Sequence, residues 1–145
     1  MAWDYPNPFV HRVRVGADAI DRMQHVNNVR YLQYLEDTAW AHTEHLGLGW
    51  DVYERLGAGV VAHRTEIDYL RAAVLDDELE IGTWCTANDG KLRLERSYQI
   101  RRPSDDVTIV RAVTQWISVD LKSGRPKRMP REFAQAYQAI LTPHN

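Results

Sequence analysis

The chain has little cysteine, no long apolar run and no large charge of either sign. Cys85, its one cysteine, excludes an internal disulfide and agrees with a reducing, cytoplasmic setting. No stretch approaches the roughly 18 consecutive apolar residues of a membrane helix, so membrane insertion is not expected. Residues 1–9 carry Asp4 and two prolines and no apolar segment of the kind a secretory leader needs. A formal net charge of -2 gives no broad electrostatic ground for binding nucleic acid or anionic lipid. Gly-x-Ser-x-Gly, His-Glu-x-x-His and a glycine-rich phosphate loop are all missing, which removes the commonest hydrolase and nucleotide-binding signatures. There is no internal repeat and no low-complexity segment.

What is present suits a single globular domain over residues 1–145, long enough to bury a core. Phe9 to Val15 alternates, with Phe9, His11, Val13 and Val15 on one face, as in a strand. A helix is expected from about Asn28 to Leu46. Val29, Leu32, Leu35, Ala39, His42 and Leu46 form its stripe, and Gly47 and Gly49 end it. The period then changes to two. In Val60–Leu70, Val61, His63, Thr65, Ile67 and Tyr69 share a face. Leu79, Ile81, Thr83 and Cys85 share one in the next strand. Asn88-Asp89-Gly90 is a hairpin turn leading to a strand through Leu92, Leu94, Tyr98 and Ile100. A last strand alternates through Val107, Ile109, Val113, Ile117 and Val119. After a basic stretch rich in turn formers, Lys122 to Pro130, a short helix is expected from about Arg131 to Leu141. This order predicts an α+β fold, an antiparallel sheet of about five to six strands packed on one long helix.

The most informative stretch is Asp21-Arg22-Met23-Gln24-His25-Val26-Asn27-Asn28, directly before the helix. It gathers ionisable groups where backbone N–H groups lack intrahelical partners and the macrodipole is positive. A carbonyl oxygen gaining negative charge can be held at such a place. Asp21 could also form an Asx-turn, and one of Asn27 and Asn28 could serve as a helix cap. Asp21 and His25 are four residues apart, as metal ligands can be, but no third His or Cys stands at a matching spacing, so no metal is expected.

The motif Asp-x-x-x-His-Val-Asn-Asn followed by Tyr31-Leu32 resembles that of the hot-dog-fold acyl thioesterases of the 4-hydroxybenzoyl-CoA type. The resemblance covers nearly the whole chain. It implies a sheet curled around the central helix, a homodimer or homotetramer with sites at the subunit interface, and hydrolysis of an acyl-CoA or acyl-ACP thioester without a cofactor. It also implies roles. Asp21 attacks the thioester carbonyl or activates water, His25 orients acid or water, and the Asn28 N–H receives the oxyanion. Asn27 holds the loop or meets the pantetheine arm, and Tyr31 contacts substrate. Glu36, four residues after Leu32 on or beside the apolar stripe, is the backup acid. His63 and Thr65 are expected to line an acyl pocket, and Arg125, Lys127 and Arg128 to meet the phosphates of coenzyme A. The chain departs from the pattern at Gln24, where glycine is frequent, and at Ala72, where many relatives have proline. The catalytic set of the plant acyl-ACP enzymes is incomplete, because Met23 replaces an Asn and Tyr69-Leu70-Arg71-Ala72-Ala73 lacks the downstream Glu or Cys. A hot-dog dehydratase and a non-catalytic acyl-binding protein are the competing readings.

Overall fold

The computed structural model of the chain describes residues 2–140. Five strands, β1 (Phe9–Arg14), β2 (Ala58–Tyr69), β3 (Glu78–Asn88), β4 (Arg93–Arg102) and β5 (Val107–Asp120), form one antiparallel sheet in the order β1-β3-β4-β5-β2. Helix α1 (Asn28–His45) packs on its concave face, which is the hot-dog arrangement. Two short helices, α2 (Trp50–Leu56) and α3 (Arg131–Ala136), close one end. Helix α3 ends at Ala136, short of the expected Leu141, which lies outside the described residues: Tyr137 is its C-cap and residues 138–140 are not helical. Among the described residues no helix is long and apolar enough to cross a membrane.

Asn27 starts α1: its side chain accepts from the Val29 N–H at 3.0 Å, which satisfies one of the free donors of the first turn. The buried face of α1 is Tyr31, Tyr34, Leu35, Thr38, Ala39 and Thr43. This corrects the expected stripe, since Val29 is 72% exposed and Leu32 43%. The helix turns its tyrosines to the sheet and leaves its N-terminal aliphatics at the open edge. Thr38 tolerates burial because its hydroxyl donates to the Tyr34 carbonyl. The sequence reading contained no α2. Gly57, at φ +65° in the left-handed region, ends it and turns the chain into β2.

Bulges decide which side chains face α1. Between β2 and β5 the register passes from Ala62 opposite Trp116 to Arg64 opposite Gln115, leaving His63 as the extra residue. Between β4 and β5 it passes from Ile100 opposite Val110 to Arg101 opposite Thr108, leaving Ile109 extra. Each extra residue inverts the alternation that follows. So Val61 and Thr65 do not share a face, and beyond Ile109 the inward positions of β5 belong to Ala112, Thr114 and Trp116 rather than to Val113 and Ile117. Cys85, Arg96, Thr114 and Thr65 stand in one row across the concave face. Strand β2 is an outer edge of the sheet, and residues 61–66 along it are exposed.

Candidate active site

The loop before α1 is closed on itself. The Asp21 N–H donates to the His25 carbonyl at 2.9 Å, and the Gln24 N–H to the Asp21 carbonyl at 3.0 Å. Ile20 and Val26 form an isolated bridge across it. Asp21 Oδ1 accepts from the Met23 N–H at 2.8 Å and from the His25 N–H at 3.4 Å. This is an Asx-turn, but it occupies only one carboxylate oxygen; Oδ2 has no partner among the described residues. Gln24 sits at φ +65°, left-handed backbone that side chains rarely adopt, so the loop itself asks for glycine at that position. His25 is exposed, and its ring makes no hydrogen bond or ion pair among the described residues.

The Asn27 N–H donates to the Ala19 carbonyl at 2.8 Å and the Val26 N–H to the Ala73 carbonyl at 2.9 Å, which ties the loop to the β2–β3 connection. The Asn28 N–H, first of the helix, finds no acceptor among the described residues. Such a donor, fixed at a helix N-terminus, can stabilise an oxyanion with little reorganisation. Tyr69 Oη donates to the Asn28 carbonyl at 3.4 Å. Tyr31 is buried, and its hydroxyl accepts from the Ala73 N–H at 3.1 Å. It braces the loop's support and does not line the cavity described next.

A cavity of about 470 Å³ lies between α1 and the concave sheet face. Leu32, Leu35, Glu36, Ala39, Trp40 and Thr43 line it from the helix, and Thr65, Cys85, Leu94, Arg96, Tyr98, Thr114 and Trp116 from the sheet. Tyr53 of α2 and Tyr137 after α3 complete it, joined through their hydroxyls at 2.9 Å. Glu36 and Thr65 are therefore cavity residues; Thr65 pairs with Thr114 at 3.0 Å. His63 is not, because the bulge leaves it exposed on the edge strand. Sequence reasoning passed over Arg96, although alternation with Leu94, Tyr98 and Ile100 puts it on the inward face. It also passed over Tyr53 and Tyr137, whose place depends on the short helices.

Arg125, Lys127 and Arg128 are exposed on the turn after β5. Lys127 Nζ lies 3.8 Å from Asp120 Oδ1. Within one chain the turn is not near the Asp21 loop. The Leu121 N–H bonds the Gly57 carbonyl, at the start of β2, whereas Asn28 meets Tyr69, at its end. Eleven residue steps of strand separate the two, roughly 35 Å.

A curled antiparallel sheet on one helix, with a carboxylate loop at the helix N-terminus and a largely apolar cavity beside the helix, defines an acyl-handling protein of hot-dog type. Residues 15–137 match the family model of the thioesterase-like superfamily, and the chain belongs to that family. It is 27% identical over 131 residues to the long-chain acyl-CoA thioesterase FadM of Escherichia coli, with 90% of this chain and 97% of that one covered. Among solved structures it is similar to the probable thioesterase YbaW of Escherichia coli, at 25% identity and TM-score 0.78, covering 89% of this chain and 98% of that chain. It is also similar to the protein SAV2348 of Staphylococcus aureus, solved in complex with CoA, at 18% identity and TM-score 0.84, covering 95% and 90%.

Proposed function

We propose that the chain, as one domain, is an acyl-CoA thioesterase that hydrolyses an acyl thioester to a free acid and coenzyme A. The observation that carries this reading is the Asp21 loop. One hydrogen-bonded unit holds a carboxylate with one oxygen unused among the described residues, and leads into a helix whose first N–H has no acceptor among them. In the general-base route, Asp21 takes a proton from water and the water oxygen attacks the thioester carbon. Negative charge develops on the carbonyl oxygen and is received by the Asn28 N–H. The C–S bond then breaks and the proton passes to the leaving sulfur. In the covalent route Asp21 itself attacks, and water hydrolyses the mixed anhydride. Both routes use the same two groups. His25 beside the loop orients the water, and Asn27 holds the turn. FadM acts on long-chain acyl-CoA by its name, and SAV2348 is solved with CoA; both favour coenzyme A over acyl carrier protein as the carrier.

The reading includes a cytoplasmic homo-oligomer. β2 is a 12-residue edge strand with Val61 and Tyr69 each more than 40% exposed, as is Leu70 directly after it. Such an edge invites pairing with a second copy. Antiparallel pairing of two β2 edges would bring the Ala58 end of one copy to the Tyr69 end of the other. The basic turn of one chain would then meet the Asp21 loop of its neighbour, and the roughly 35 Å gap within a chain becomes a contact between chains.

The test is thiol release by the full chain from acyl-CoAs of graded length, with aromatic members included. Turnover on at least one, well above the buffer rate, is expected. No release from any of them, nor from the matched acyl-ACPs, overturns the reading.

A further inference from the structure

Hydrolysis at the Asp21 loop makes no use of Arg96. This residue stands on the concave face of β4, is 6% exposed and lines the cavity. Its side-chain hydrogen bonds among the described residues both leave from Nη1, to His42 Nδ1 at 2.8 Å and to Thr83 Oγ1 at 3.3 Å. Nε and Nη2 have no partner there, and no carboxylate among the described residues pairs with the guanidinium. His42 cannot balance the charge. Burial first, then the neighbouring Arg96 cation, hold its pKa down to about 4, so the ring is neutral and its Nδ1 accepts from Arg96. The Tyr137 ring covers the guanidinium carbon at 5.9 Å, again without negative charge. Glu36, the carboxylate that lines this cavity, is exposed on the helix and forms no ion pair with Arg96.

Trp116, which also lines the cavity, carries a donor that lacks an acceptor among the described residues. Its indole Nε1–H is buried with no hydrogen-bond partner among the described residues. Trp116 stands opposite Leu94, and Thr114 opposite Arg96, so Trp116 and Arg96 are diagonal neighbours on one face. A buried cation with no counter-charge and a buried N–H with no acceptor are each costly when left alone. The first of these stands on the wall of a cavity, with donors open to it, and points to an occupant that supplies negative charge and oxygen acceptors. Between Arg96 and the helix N-terminus the lining is Leu32, Leu35 and Ala39, suited to methylenes. From Asn28 to His42 the helix rises roughly 21 Å, a span for a medium or long chain rather than an acetyl group.

Resting on the thioesterase reading, we propose that the Arg96 end of the cavity binds a carboxylate at the far end of the acyl group. Arg96 holds it, so the preferred substrates are dicarboxylic acyl thioesters. A planar guanidinium with Nε and Nη2 open can meet a carboxylate bidentately, which a terminal methyl group cannot use.

The experiment compares CoA esters of equal chain length ending in a carboxylate, a hydroxyl or a methyl group, with the matching CoA thioethers, which cannot be hydrolysed, for calorimetric binding. The carboxylate-ended ester is expected to exceed the methyl-ended one in kcat/KM by about tenfold or more, the scale of a charge-assisted hydrogen bond. The thioethers should rank the same way. Arg96→Met should bring the carboxylate-to-methyl ratio near one, and Arg96→Lys should restore part of it. Equal or better binding of the methyl-ended thioether by the wild-type protein overturns the proposal, whether or not the Arg96 variants fold. A hydroxyl-ended thioether that binds as tightly as the carboxylate overturns the anionic assignment. If no ester is hydrolysed while the carboxylate-ended thioether is preferred, the thioesterase reading falls and the carboxylate site stands.

Discussion

Asp21 and His25 meet without any bond between their two side chains. The Asp21 N–H donates to the His25 carbonyl at 2.9 Å, and Asp21 Oδ1 accepts weakly from the His25 N–H at 3.4 Å. No ion pair joins carboxylate and imidazole. The Asp-x-x-x-His spacing is thus the length of one closed loop, and the two residues can be varied for different effects.

Asp21→Asn keeps an oxygen that can accept from the Met23 N–H, so the loop should survive while the basic carboxylate is lost. Turnover of the best acyl-CoA is expected to fall at least ~10²-fold, with the melting temperature little changed. Asp21→Ala should add a stability loss of about 1 kcal/mol, from the missing Asx-turn bond. Steady-state kinetics and a thermal melt separate the two effects. Near wild-type turnover in Asp21→Asn would move the catalytic acid to Glu36.

Gln24→Gly should stabilise the protein by about 0.5–1 kcal/mol, because glycine relieves the strain of φ +65° and loses part of that gain to chain entropy. Gln24→Val, β-branched at the same angle, should destabilise by about 1–2 kcal/mol. Urea midpoints measure both. Equal midpoints for all three proteins would mean that the loop relaxes out of the left-handed region.

Replacing Arg125, Lys127 and Arg128 together with Ala should raise KM for the CoA ester several-fold, and the effect should shrink with salt. Each contact is exposed and worth about 0.5–1 kcal/mol. Mixing this variant with Asp21→Asn tests the shared site. If turn and loop act across copies, a mixed dimer holds one intact site and one doubly damaged, so activity at low substrate exceeds that of either parent. If both act within a chain, every site carries one defect and mixing recovers nothing.

The depressed pKa of His42 makes stability depend on pH. With about 4 in the folded chain against 6.5 unfolded, the unfolded state binds more protons between those values. Stability is therefore fully present above about 6.5 and falls as pH drops toward 4. The half-buried ring keeps some solvent screening, so the loss should be about 1–2 kcal/mol. His42→Gln should flatten melting temperature against pH across this window. An unchanged slope would assign the acid loss to other groups.

Much of this architecture was legible because its causes are local. The start of α1 follows from Asn27 as an N-cap, the β3–β4 turn from Asn88-Asp89-Gly90, and the strands from alternation. The loop before α1 was legible as well, since Asp21 closes it with atoms from three neighbouring residues, Met23, Gln24 and His25. The roles assigned within it came from resemblance and stay proposals.

The sequence by itself determined the element order, the helix start and the chemistry concentrated in residues 21–28. Tertiary structure decided which side chains look inward. The bulges at His63 and Ile109 invert the alternation, so His63 leaves the cavity and Thr114 and Trp116 enter it. A bulge is a mismatch between two strands, and neither strand encodes it alone. Val29 and Leu32 look like core on a helical wheel, but the curl of the sheet turns Tyr31 and Tyr34 inward instead. Burying Arg96 against a neutral His42 needs β4 and α1 packed together, a contact between residues 54 positions apart that no local pattern records.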